Sequence, residues 1–209
     1  VMEGVHLSHY LRPFLPGSSN RVRAPIASFL EAGCGFGGSC LPKDVRALVK
    51  KGEAVGTSMR LLSSVLETNR LQPGRMIALL ERHYPNLHGI HVSVLGLAFK
   101  PDTDDMRESP AIPIVSELAS KGAVVRGYDP VALETAREAM AGLDIIFVDS
   151  LEEALDGADA LLLVTRWEEF QSLPEMVGRL DPQPVVVDGR RVLDPKRFEH
   201  YEGIGLRRP

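Results

Sequence analysis

Between His88 and Asp188, short apolar runs alternate with stretches of helical period, and that rhythm restricts the fold more than any other feature of the chain. The runs over 90–96, 124–128, 144–148, 158–165 and 184–188 read as buried strands. Helices are expected between them over 110–121, 132–141 and 151–155, with helical pieces over 168–180. Ser109 stands where an N-cap belongs before the first of these, and Gly122 stands where it should stop. Strands alternating with helices form a parallel sheet, because each crossover needs a helix to return the chain to the same end. The expected class is α/β: a helical central region with a long connecting helix, then a Rossmann-like parallel-sheet domain. In such sheets ligands lie beyond the carboxyl ends of the strands.

Ahead of the sheet, Val45, Leu48 and Val49 give 42–52 a helical spacing. A longer helix is expected over 57–83, with Met59, Leu62, Leu66, Met76, Ile77, Leu79 and Leu80 along its apolar stripe. Pro73-Gly74 is expected to kink or break it. The stretch up to Ala32 has neither a clear strand nor a long helical period, and it holds Pro13, Pro16 and Pro25. The division expected is therefore 1–87 for the helical region and 88–209 for the sheet domain.

A net charge of −4 speaks against a general nucleic-acid binder. No apolar run approaches the roughly 18–20 residues of a membrane-spanning helix, and no signal-peptide pattern opens the chain. Two cysteines, Cys34 and Cys40, are too few for a disulfide framework or a Cys-rich zinc site, and the six histidines lack metal spacing. A reduced, cytoplasmic setting is expected, with no metal.

The dozen residues over 33–44, Gly-Cys-Gly-Phe-Gly-Gly-Ser-Cys-Leu-Pro-Lys-Asp, carry the chemistry. Glycines let backbone approach a ligand closely, and Cys40 then emerges beside Lys43 and Asp44. A thiol next to a potential base is the layout of covalent catalysis. The alternative for Cys40 is a small apolar residue in a buried turn, which is the expected role of Cys34. Gly33-x-Gly35-x-x-Gly38 matches the dinucleotide fingerprint by letter only, since no strand precedes it and Cys40 follows where a helix should already run.

Three clusters follow strand ends. Residues 99–109 place Lys100 and Arg107 in an acidic loop, suited either to phosphate and sugar oxygens or to internal ion pairs. Asp188-Gly189-Arg190-Arg191 offers a guanidinium to a diphosphate, or a salt-bridged turn. Trp167 and Phe170 read as packing residues rather than base-stacking ones.

The run over 35–44 resembles the active-site loop of the UDP-glucose/GDP-mannose dehydrogenase family. So do 95–110 (Leu-Gly-Leu-Ala-Phe-Lys-Pro-Asp-Thr-Asp-Asp-Met-Arg-Glu-Ser-Pro), Tyr128-Asp129-Pro130, 165–170 and Asp188-Gly189-Arg190, all in the same order. Ser-Cys-Leu-Pro-Lys-Asp is most similar to the form in UDP-glucose 6-dehydrogenases. The resemblance implies an NAD-dependent oxidation of UDP-glucose, or a similar nucleotide hexose, at C6 to the acid through a thiohemiacetal and a thioester. It implies Cys40 as nucleophile and Asp44 as the group that activates or positions water. Phe29, Leu30, Phe36, Gly37, Phe99, Lys100 and Arg190 would bind the sugar nucleotide, while Lys43 and Arg107 would reach NAD. It further implies a homodimer through the central helix, and an amino-terminal NAD-binding domain missing from this chain, which alone should not turn over. A non-catalytic nucleotide-sugar-binding or dimerisation module is the alternative.

Overall fold

Six strands, all parallel, form the centre of the computed structural model, which describes residues 33–206. They are β1 His91–Leu95, β2 Val124–Tyr128, β3 Ile146–Phe147, β4 Ala160–Leu163, β5 Val185–Asp188 and β6 Tyr201–Gly203. Their order is β3-β2-β1-β4-β5-β6, the doubly wound arrangement in which the chain starts mid-sheet, runs to one edge and then to the other. The order reverses between β1 and β4, where Leu95 lies beside Leu163.

Helices α1 Leu41–Ala54 and α2 Arg60–Leu80 precede the sheet; α3 Ala111–Ser120, α4 Leu133–Ala139, α5 Leu151–Leu155 and α6 Leu173–Val177 connect its strands. Successive strand residues face opposite sides, and the burial follows this. Val92, Val94, Leu162, Val185 and Val187 join one apolar layer with Met76, Ile77 and Leu80 of α2 and Ile114 and Leu118 of α3. Leu95, Leu161, Leu163 and Val186 join the other, with Leu151, Leu155, Phe170, Leu173 and Val177. Covered on both faces, β4 and β5 are buried at every position, which is why they read as unbroken apolar runs.

Four expectations need correction. Helix α2 continues through Pro73 for 21 residues rather than breaking there. Pro73 is itself buried, and the turn after it places Met76, Ile77 and Leu80 in the core, a gain that outweighs a proline cost of about 3 kcal/mol. The strand expected over 144–148 pairs only at Ile146 and Phe147, being at the sheet edge with β2 as its one neighbour. Helix α4 is shorter than 132–141, bounded by Ala132 and Met140. Strand β6 was not foreseen: Tyr201-Glu202-Gly203 is too short for a readable period, and its pairing with β5 makes it a strand. Gly122 ends the turn after α3 at φ +78°, as expected.

Candidate active site at the carboxyl ends of the strands

The loop over 33–40 is tied to the carboxyl ends of β4 and β5 near its start and to the segment after β1 near its end. Cys34 donates its amide to the Gly189 carbonyl (2.9 Å) and directs its thiol at the Val164 carbonyl (3.6 Å). Burial pushes that thiol above its ordinary value of 9.0, and Cys34 is wholly enclosed. The expectation that Cys34 is a structural residue holds. Arg190 donates its Nε to Val164 O and its Nη1 to Gly35 O (3.0 Å), so its guanidinium binds loop and strand end together.

Helix α2 fastens the middle of the loop. The Asn69 amide donates to the Phe36 carbonyl (2.9 Å) and accepts from the Phe36 N–H (2.8 Å), while Gln72 donates to Gly33 O (3.0 Å). The glycines that follow serve close approach, but to the protein's own chain. A Cβ at Gly37 would collide with the Glu108 carbonyl, and one at Gly38 would lie 2.7 Å from the Phe99 ring. Gly38 also donates its N–H to Arg107 O (2.8 Å).

Cys40 emerges from this packed loop into solvent, a free thiol 3.7 Å from the Ser39 hydroxyl. It occupies the N-cap position of α1, with its carbonyl accepting from the Asp44 N–H (2.9 Å). Lys43 and Asp44 are exposed and paired at 3.3 Å. Being four residues on, Asp44 shares the helix face of Cys40. Arg46 forms a two-pronged ion pair with Glu108, joining α1 to the loop after β1.

That loop is rigidly built. Phe99 is half-buried and Lys100 exposed, its Nζ 5.8 Å from the centre of the Phe99 ring. Arg107 donates to Asp105 through Nη2 (2.6 Å) and Nε (2.9 Å). This hydrogen-bonded partner raises the Arg107 guanidinium above its ordinary value, with the neighbouring Cys40 sulfur a smaller contribution, and lowers the Asp105 carboxyl. Two buried carboxylates, Asp188 and Asp129, hold the neighbouring turns. Asp188 accepts from the N–H groups of Arg190, Arg191, Val192 and Leu193 and from the Tyr201 hydroxyl. Asp129 accepts from Leu97, Ala98, Val131, Ala132 and the Trp167 indole.

The structure therefore gathers Phe36, Gly37, Cys40, Phe99, Arg107 and Arg190 around one loop. Lys43 and Asp44 lie on the first turn of the helix that Cys40 opens, and Lys100 on the exposed side of Phe99. Phe29 and Leu30 lie outside the described residues. Of the two readings of the charged loops, the structure shows the internal one: Arg107 pairs with Asp105, and Arg190 bonds the Val164 and Gly35 carbonyls.

Residues 93–195 match the UDP binding domain of the UDP-glucose/GDP-mannose dehydrogenase family, and residues 17–71 match its central domain. The UDP-glucose 6-dehydrogenase AglM of Haloferax volcanii is 43% identical over 178 residues, which are 85% of this chain and 40% of that protein. The chain belongs to this family. Its similarity to another member, the UDP-glucose 6-dehydrogenase of Pseudomonas aeruginosa, is 40% identity over 200 residues, 90% of this chain and 43% of the relative. Among solved members, a UDP-glucose dehydrogenase from Pyrobaculum islandicum superposes with a TM-score of 0.79 at 35% identity, covering 97% of this chain and 42% of that one. A GDP-mannose dehydrogenase from Pseudomonas aeruginosa gives 0.71 at 30% identity, covering 84% and 41%. The chain thus spans about two fifths of the length of the family members it matches. The family's fold agrees with the expected α/β architecture. No helix among the described residues is long and apolar enough to cross a membrane.

Proposed function

We propose that this chain carries the covalent and sugar-nucleotide-binding parts of an NAD-dependent dehydrogenase that oxidises C6 of UDP-glucose, or a similar nucleotide hexose, to the acid. The observation that carries this reading is the position of Cys40. It is exposed, at the amino end of a 14-residue helix, on a loop bonded to the ends of β4 and β5 and to the segment after β1. Partial positive charge at that helix end favours a developing anion. A thiol sealed in an apolar pocket would have defeated the reading; that condition belongs to Cys34 instead.

In this reading the Cys40 sulfur adds to the C6 aldehyde carbon, forming a C–S bond as the carbonyl electron pair moves to oxygen and takes a proton. At the later acyl stage, water attacks the same carbon, the C–S bond breaks, and sulfur leaves as thiolate. Asp44 positions that water and accepts its proton. Phe36, Gly37, Phe99, Lys100 and Arg190 form the wall that receives the nucleotide sugar, with Lys100 directed at phosphate.

NAD supplies the acceptance of hydride, and the sheet described here does not fit a whole dinucleotide. The amides after β1 are occupied by Asp129, and no helix opens behind them until Ala111. Lys43 and Arg107 are left as edge contacts to a cofactor held elsewhere. The division of labour follows: residues up to 87 bring the thiol and a dimer contact, and 88–209 bring the nucleotide site. Exposed Leu48, Leu61 and Val65 on α1 and α2 support a homodimer through this helical region.

Thiol labelling tests the reading directly. Cys40 should react with a maleimide far faster than Cys34, and UDP-glucose should protect it; equal rates without protection would defeat the covalent role. In a full-length dehydrogenase carrying this stretch, Cys40→Ser should abolish acid formation while UDP still binds. The 209-residue chain alone should not reduce NAD with UDP-glucose.

A further inference from the structure

We propose that Asp129 is a positioning residue of the nucleotide-sugar site, acting through the loop that presents Phe99 and Lys100. The inference rests on the reading above. The Asp129 carboxylate has no solvent exposure, and three segments converge on it. Oδ2 accepts from Leu97 N (2.7 Å), Ala98 N (3.0 Å) and Trp167 Nε1 (3.1 Å); Oδ1 accepts from Val131 N (3.0 Å) and Ala132 N (2.8 Å). The segments follow β1, β2 and β4, the strands on either side of the point where the sheet order reverses.

In doubly wound sheets, amides at the end of the first strand face a ligand's phosphate. Here the protein supplies its own anion to those amides. The loop after β1 is thereby built before any ligand arrives, and an external diphosphate is kept off Leu97 and Ala98. Three more of the loop's backbone groups are also engaged internally. Leu97 O accepts from the Ser109 hydroxyl (2.6 Å), Ala98 O from the Thr165 hydroxyl, and Phe99 N donates to Asp105 O (3.1 Å). Beside this bonded backbone the Phe99 ring is half-buried against Gly38, and the Lys100 ammonium is exposed. Asp188 makes five bonds too, but they order its own following turn and Tyr201. Asp129 alone of the two joins β1, β2 and β4.

Asp129→Asn is a stringent probe, because an amide has one accepting oxygen. Whichever way it turns, its NH2 meets the two N–H donors now on Oδ1 or the three on Oδ2. Trp167→Phe removes one of the five bonds while keeping an aromatic ring in place, and serves should the first variant fail to fold. The measurement is calorimetric UDP binding to the 209-residue chain, with circular dichroism confirming that each variant is folded at the working temperature. Asp129→Asn should weaken UDP by roughly tenfold or more, and Trp167→Phe by about threefold, as the competent loop becomes a minor population. Because the effect passes through Lys100, Trp167→Phe should change affinity little further in a Lys100→Ala background. Unchanged UDP affinity with only a lowered Tm would overturn the proposal, as would additive losses in the double variant. A wild-type chain that binds no UDP would instead defeat the nucleotide-sugar reading itself, and this inference with it.

Discussion

The helical stretch and the sheet, consecutive in the chain, solve burial in opposite ways. In β4 and β5 every residue is buried, and both faces are covered by helices from the same chain. Along α1 and the first half of α2, Leu41, Leu48, Leu61, Val65 and Leu71 stand exposed, Leu61 at 77%. Helix α2 spans both regimes, with no buried residue over its first three turns and with Pro73, Met76, Ile77, Leu79 and Leu80 buried after them. The lesson is that the sheet is self-sufficient, whereas the helices present apolar surface of the kind that marks a contact. The proposed homodimer supplies that contact.

The sharpest contrast is in the core. Leu162→Ala, at a fully buried β4 position, should cost about 2–5 kcal/mol in urea unfolding. Leu61→Ala should stay within about 0.5 kcal/mol in a monomeric chain; a comparable loss at both positions would erase the distinction. Next in size, Arg190→Ala should weaken UDP binding by about 1.5–3 kcal/mol, read by calorimetry, since a charge-assisted contact is removed and the ties to Val164 and Gly35 go with it. Affinity equal to wild type would leave Arg190 with a purely structural role. Leu61→Asp combined with Val65→Asp should shift a dimer toward monomer by at least about tenfold in dissociation constant, seen in sedimentation, with the sheet's unfolding midpoint unmoved.

The smallest effect is alkaline. Burial raises the Cys34 thiol above 9.0 and the Tyr128 and Tyr201 hydroxyls above 10.0, the latter two aided by Glu169 and Asp188. The unfolded chain would ionise these groups first, so unfolding releases protons and stability declines as pH rises past those ordinary values. Below pH 9 the contribution is intact. All three groups belong to the sheet or the loop packed on it. Urea midpoints between about pH 8 and about pH 11 should therefore fall, and Tyr201→Phe should reduce the slope.

Much of this was legible in order along the chain. Strands β1, β2, β4 and β5 and helices α3 and α5 sit where apolar period and punctuation put them, because uniform burial on two faces leaves unbroken apolar runs. The edge strands β3 and β6 were read poorly for the converse reason: their identity comes from one neighbouring strand, not from their own period. At the site, the thiol, its adjacent charges and the arginine after β5 could be read from motifs. Asn69 and Gln72 could not, since their bonds reach backbone groups 33 and 39 residues away, and backbone groups carry no letter.

By itself the sequence determined the α/β class, the family, and the candidate nucleophile, since these depend on local period and on contiguous motifs. Only the tertiary structure decided that Cys34 is sealed while Cys40, six residues on, is open; that α2 runs through its proline; and that the glycines receive Glu108 and Phe99. Those outcomes depend on which distant surface arrives against a given backbone, and that is fixed by how the sheet and α2 pack together.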